Sequence, residues 1–240
     1  MKWQLVSDGF NTGQHNMDYD LELAAKCDND SAFLRFYRWE PYCISLGANQ
    51  KYNDINLDKV KEDGLEVVKR PTGGRAILHA EELTYSAIVP LGCGLSNREI
   101  YTKISLALVR GLKIYDSNLS AVELENVQPN FPDLLNQPSG VLCFASTAKS
   151  EVKHKGKKLI GSAQRKMNSV VLQHGSILCG TFHTKLPEYL QVDNSEIEGL
   201  NNELKSKTTE LETILNTTTD YAKLEKCLIQ GFEEEWNISF

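Results

Sequence analysis

Cys143 and Lys158 are the residues of this chain best suited to covalent chemistry. Cys143 closes a stretch, 127–142, that holds three of the chain's seven prolines, Pro129, Pro132 and Pro138. A loop of that length inside a compact domain is usually functional or disordered. Lys158 opens Leu159-Ile160-Gly161-Ser162-Ala163, a strand whose small residues leave a cleft for the lysine to point into. A thiol reacts as the thiolate, and a neighbouring ammonium lowers its pKa. Brought together, the two would make an acyl-accepting nucleophile, although their spacing along the chain does not place them side by side.

A second group is Arg70-Pro71-Thr72-Gly73-Gly74-Arg75, followed at a strand end by His79. Two glycines between strands let a ligand approach backbone N–H groups closely. The flanking arginines could hold a carboxylate, a phosphate or a thioester carbonyl; a plain hairpin turn with surface arginines fits the same spacing. Five lysines and Arg165 crowd residues 153–166, either as a solvated hairpin face or as a docking site for an acidic partner.

The remaining composition narrows the classes. The chain has 240 residues, 41% hydrophobic and 24% charged, with a net charge of −6. That is ordinary globular usage, and the acidic balance argues against broad nucleic-acid binding. No apolar run is long enough to span a membrane. Residues 1–16 are polar and lack the apolar core of a secretory signal, so a cytoplasmic protein with reduced thiols is expected. The six cysteines form no CxxC pair, and the five histidines have no metal-binding spacing, so no metal site is expected. Gly92-Cys93-Gly94 opens a helix but lacks the third glycine of a dinucleotide fingerprint, and there is no P-loop.

These residues need a scaffold. Asn16 or Asp18 can cap a helix running to Cys27. Residues 32–39 read as a strand with 43–46 as its short partner across Glu40-Pro41. Asn53-Asp54 caps a helix ending at Gly64. Strands follow at 65–69, 76–79 and 82–89. Ser96-Asn97-Arg98-Glu99 is a capping box, opening a helix with Ile100, Ile104, Ala107, Leu108, Gly111 and Leu112 on one stripe. Residues 121–125 alternate like a strand, 151–154 and 158–166 form a hairpin through Lys155-Gly156, and 169–179 is a further strand. Helices near 206–215 and 220–236 complete the chain as packing elements, and no linker divides it.

The blocks Arg35-Phe36-Tyr37-Arg38-Trp39, Ile44-Ser45-Leu46-Gly47 with Gln50, Arg70 to His79, Glu82-Leu83-Thr84-Tyr85-Ser86, Gly156-Lys157-Lys158 through Gln164, and Leu172-Gln173-His174-Gly175-Ser176 stand in an order that resembles the biotin/lipoate protein ligase catalytic family. The resemblance runs from about Met17 to Cys179. It implies an α+β fold, a mostly antiparallel central sheet flanked by helices as in class II synthetases and biotin protein ligases, in one catalytic domain over 1–240 with the C-terminal helices of 206–236 packed on it. Within the family the chain looks most like the cysteine-dependent octanoyltransferases. Arg75 stands where ligases have a small residue, Leu142-Cys143-Phe144-Ala145 matches the transferases' nucleophile segment, and the length leaves no room for a ligase accessory domain.

The resemblance implies Cys143 and Lys158 as catalytic residues. It implies Trp39, Arg70, Thr72, Gly73, Gly74, Arg75, His79, Gly161, Ser162, Ala163 and His174 as substrate-binding residues. Octanoyl would pass from acyl carrier protein, through a Cys143 thioester, to a lysine of a lipoyl domain such as the glycine cleavage H protein, with no cofactor, nucleic acid or membrane involved. An ATP- and Mg-dependent lipoate–protein ligase, an octanoyl amidotransferase between lipoyl domains, and a non-catalytic lipoyl-binding module are the alternatives. Ala80 departs from the family, where an Asp commonly follows the His, and leaves open what orients His79.

Overall fold

The computed structural model describes residues 1–125 and 150–240; the proline-rich stretch 127–142 and Cys143 lie outside them. The elements in chain order are β1 (Lys2–Asn11), α1 (Gly13–Lys26), β2 (Ser31–Trp39), β3 (Cys43–Leu46), α2 (Leu57–Glu62), β4 (Glu66–Lys69), β5 (Ile77–His79), β6 (Glu82–Pro90), α3 (Asn97–Tyr115), β7 (Val122–Leu124), β8 (Val152–His154), β9 (Lys157–Met167), β10 (Val170–Leu178), α4 (Asn194–Lys207), α5 (Leu211–Leu215) and α6 (Tyr221–Trp236). A seven-stranded sheet has the order β1-β2-β6-β10-β9-β8-β7, and a three-stranded sheet the order β4-β3-β5. Among the described residues, β1–β2 is the one parallel pair in the large sheet and β3–β4 the one in the small sheet. The architecture is therefore the expected mostly antiparallel α+β one.

Alternation along the central strands sorts their side chains to two faces. Leu34 and Phe36, Tyr85 and Ala87, and Val171 and Ile177 turn toward α3 and α6 and build the main core. On the other face Phe33, Ile88 and Leu172 pack with Leu23 and Ala24 of α1. Further along that second face the strands carry buried polar residues instead: Arg35, Thr84, Ser86, His174 and Ser176. The small sheet stands over these residues. Its Ile44, Leu46, Ile77 and Leu78 pack with Leu186, Leu190, Leu200 and Leu204 in a second core.

Several elements differ from the sequence reading. β3 pairs with β4 and β5, not with β2, because Ile44 and Leu46 belong to the second core. Residues 2–11 form an edge strand that their polar composition had hidden. Thr12, not Asn16 or Asp18, caps α1; Asn16 turns inward, its Oδ1 accepting from Arg35 Nη2 at 2.7 Å. The helix expected from Asn53 begins instead after an Asn56 cap, preceded by a 3₁₀ turn at Tyr52–Asp54. A 3₁₀ helix at Phe182–Tyr189 and α4 went unread. The helix placed at 206–215 is two helices, because Thr208 and Thr209 run extended beside β9, Thr209 N donating to Lys158 O at 3.0 Å. The Ser96 capping box and the Lys155-Gly156 hairpin stand as read, the latter with positive φ of 49° and 81°.

Candidate active site

A cleft lies between the polar stretch of the large sheet and the small sheet. β2 contributes Tyr37 and Trp39, β3 Ser45, β5 Ile77 and His79, β6 Thr84, β9 Gly161, Ser162 and Ala163, and β10 His174, Gly175 and Ser176, with Arg70 and Met17 completing the walls. Of the residues expected to bind substrate, Trp39, Arg70, His79, Gly161, Ser162, Ala163 and His174 thus share one wall system. Thr72 stands directly behind it, its hydroxyl 2.6 Å from His174 Nε2. Gly73, Gly74 and Arg75 lie on the adjoining turn and are not among the lining residues. Gly74 has φ +95°, and its carbonyl packs so closely on Gly47 that a Cβ there would stand 2.0 Å from it.

Arg70 braces that turn. Its guanidinium donates to the carbonyls of Ser45 (2.9 Å), Gly73 (2.9 Å) and Arg75 (2.6 Å) and to Ser45 Oγ (3.0 Å). Such charge-assisted bonds are among the stronger ones, so Arg70 fixes the turn at 73–75 against β3.

Two carboxylates beneath the cleft were not foreseen. Asp20 of α1 accepts from Arg35 Nη1 at 2.8 Å, Ser86 Oγ at 2.8 Å and Tyr37 Oη at 3.3 Å, and its Oδ2 is 3.4 Å from His174 Nδ1. Burial works against its charge, but His174, Arg35 and Ser86 outweigh burial and hold the carboxyl below the usual range. Burial in turn lowers the His174 pKa, against the pull of Asp20. Glu82 does the corresponding work for His79: its Oε1 is 2.8 Å from His79 Nδ1 and accepts from Thr84 Oγ1 at 2.6 Å. Burial again opposes the charge, and His79 and Thr84 keep Glu82 below its ordinary pKa. Ala80 therefore leaves His79 oriented, by a carboxylate from the next strand. The other ring nitrogen, Nε2, is 2.7 Å from Ser45 Oγ, and Trp39 stacks on the ring at 4.1 Å between centroids.

The consequence is chemical. Among the described residues, every polar side chain lining the cleft is bonded to a protein partner. Besides the bonds above, Trp39 Nε1 donates to Thr84 Oγ1 at 2.7 Å, Ser162 Oγ pairs with Tyr85 Oη at 2.7 Å, and Ser176 Oγ is 3.2 Å from His79 Nδ1. What remains to face the cleft is ring faces, methyls and methylenes. A buried polar group already satisfied has little to offer a polar ligand, so the walls suit an alkyl chain.

Lys158 is not among the lining residues. It is buried on β9 three positions before Gly161, its Nζ 2.9 Å from Glu151 Oε2, and that pairing keeps a charge tolerable at such depth. The basic cluster of 153–166 is not one patch. Lys153 pairs with Glu125 at 2.8 Å and Lys158 is buried. Lys157 and Lys166 are nine residues apart on one strand, about 30 Å at ~3.3 Å per residue. Five cysteines among the described residues are free thiols. Burial pushes Cys27 up to about 11 and Cys179 up to about 12, and Cys43 is raised as well, so these pack rather than react. Among the described residues no group of three or more His, Cys, Asp or Glu is placed to hold a metal ion, and no helix is long and apolar enough to cross a membrane.

The fold is that of a lipoate-protein ligase catalytic domain. Residues 12–233 match the family model described as the lipoyl protein ligase A/B catalytic domain, and the chain belongs to that family. Within it, the chain is similar to Octanoyltransferase LipM of Clostridioides difficile, with 34% identity over all of this chain and 89% of the relative. It is also similar to Octanoyltransferase LipM of Staphylococcus aureus, with 32% identity over 98% of this chain and 87% of the relative. Among solved structures, lipoate-protein ligase A bound with ATP superposes with a TM-score of 0.79 at 20% identity, over 100% of this chain and 87% of that one. A bipartite lipoate protein ligase from Thermoplasma acidophilum gives 0.78 at 20% identity, over 100% and 86%. These two likenesses speak for the fold.

Proposed function

We propose that this chain is a protein octanoyltransferase. It takes octanoyl from a thioester on acyl carrier protein and delivers it to a lysine of a lipoyl-domain protein such as the glycine cleavage H protein. The observation that carries this reading is similarity to curated octanoyltransferases over essentially the whole chain. The cleft supports it, because its polar groups are turned into their own network and leave a carbon-lined slot for an acyl chain.

In this reading Cys143 is the nucleophile. Lys158, held on β9 beside Glu151, supplies the positive charge that favours its thiolate. The thiolate attacks the donor carbonyl, the carrier thiol leaves, and the acyl group is carried as a thioester on Cys143. The neutral amine of the acceptor lysine then attacks that thioester, an amide forms, and the Cys143 sulfur departs. The acyl group arrives already activated, so the reaction draws on no nucleotide, and it belongs in the cytoplasm with its carrier. The test is octanoyl transfer to a purified lipoyl domain in the absence of ATP. Amide formation with ping-pong kinetics is expected for the wild type and is lost in Cys143→Ala. Transfer that requires ATP and survives Cys143→Ala would point to a ligase instead.

A further inference from the structure

The bonding of the cleft walls also bears on which acyl chains are admitted. Ser45 Oγ accepts from Arg70 Nη1 at 3.0 Å and is hydrogen-bonded to His79 Nε2, 2.7 Å away. His79 Nδ1 is hydrogen-bonded to Glu82 Oε1. Thr84 Oγ1 accepts from Trp39 Nε1 and donates to Glu82. Ser45 and Thr84 thus cap the two ring nitrogens, one on His79 and one on Trp39, that would otherwise offer a hydrogen bond to whatever lies in the slot. A hydroxyl on a bound chain gives up its water and meets no unbonded side chain among the described residues that line the slot.

We propose that Ser45 and Thr84 are specificity-determining residues that restrict the slot to unsubstituted alkyl chains by keeping His79 and Trp39 occupied. This rests on the reading of the slot as an acyl site. Removing the Ser45 hydroxyl leaves His79 Nε2 facing a vacated space about one oxygen in size. A hydroxylated medium-chain acyl group can then take the place of the lost partner. An apolar pocket by itself rejects an added hydroxyl by no more than about a hundredfold, so the caps set a selectivity of roughly ten- to a hundredfold.

The test is calorimetric titration of the full chain with octanoic acid and with a series of monohydroxy octanoic acids. The wild type binds octanoic acid at least about tenfold tighter than any hydroxylated isomer. In Ser45→Ala that ratio falls by about tenfold for the isomer whose hydroxyl reaches His79. Thr84→Val preserves shape and keeps the proposal testable should Ser45→Ala fold poorly; it shifts the ratio for an isomer whose oxygen reaches Trp39 Nε1. Ratios unchanged in both variants, or a wild type indifferent to the hydroxyl, overturn the proposal while leaving octanoyl transfer intact. A wild type that binds no octanoic acid overturns the acyl-slot reading itself.

Discussion

Asp20 and Glu82 sit beneath the slot and do different work there. Asp20 gathers groups from β2, β6 and β10 onto a helix, with Arg35 as its full-charge partner at 2.8 Å. Breaking a buried pair leaves the other charge uncompensated, at about 3–5 kcal/mol. Arg35 also pairs with Asp8 and keeps that counter-charge, so Asp20→Asn is expected to lose less, about 1–3 kcal/mol, in urea unfolding. Glu82 orients one histidine. Glu82→Gln is expected to cost about 1–3 kcal/mol and to raise KM for the octanoyl donor more than it lowers kcat, because the slot loses its shape and not its nucleophile. Trp39, Arg70, Thr72, His79 and His174 were legible in the sequence because their types and order form recognisable blocks. Asp20, Ser45 and Glu82 were not read as site residues, since their roles exist only once separate strands lie side by side: Asp20 and His174 are 154 residues apart.

The elements explain why the buried polar network around the slot stayed hidden. Residues 82–87 at the start of β6 alternate polar and apolar residues, a pattern that ordinarily marks a half-solvated strand. Here all nine residues of β6 and of β10 are buried, and the polar face looks into the site. Polar alternation on strands later covered by a second sheet is the signal that sequence reading passed over. The other face is packed by α3 and α6, which cross at glycines. A Cβ on Gly231 would stand 2.4 Å from both Ala107 O and Gly111 N, and one on Gly111 2.6 Å from Leu228 Cα. Gly231→Ala is expected to push the helices apart and cost about 1–3 kcal/mol. Thermal unfolding reads the loss, and transfer kinetics measured well below the transition stay unchanged because the slot is on the opposite face of the sheet. The stripe of α3 and its capping box were readable because they are local; the glycine contact needs both helices.

For the whole molecule, the buried histidines and carboxylates set an acid limit. Burial holds His183 down to about 4, and His174 is lowered too. The unfolded chain, with ordinary His pKa values of ~6.5, binds these protons first. Stability is therefore complete above about pH 6.5 and falls as pH drops from there toward the folded values. Asp20 and Glu82, both depressed, add a second loss as pH falls below about 4, where the unfolded carboxylates protonate before the folded ones. Urea midpoints should decline between pH 6.5 and 4, and His183→Gln should flatten that decline; an unchanged slope would mean that other groups carry it. The α+β class was legible at this scale, whereas the division into two sheets was not, because β3 reads locally as a hairpin partner of β2 and is claimed by the second core instead.

Octanoyl transfer by this chain turns on covalent chemistry at Cys143. The decisive measurement is the intact mass of the chain after incubation with octanoyl-acyl carrier protein and no ATP, followed by peptide mapping. One octanoyl group per chain, attached at Cys143, released by hydroxylamine and absent from Cys143→Ala, is the predicted result. An unmodified chain, or an adduct placed on another residue, would contradict the account.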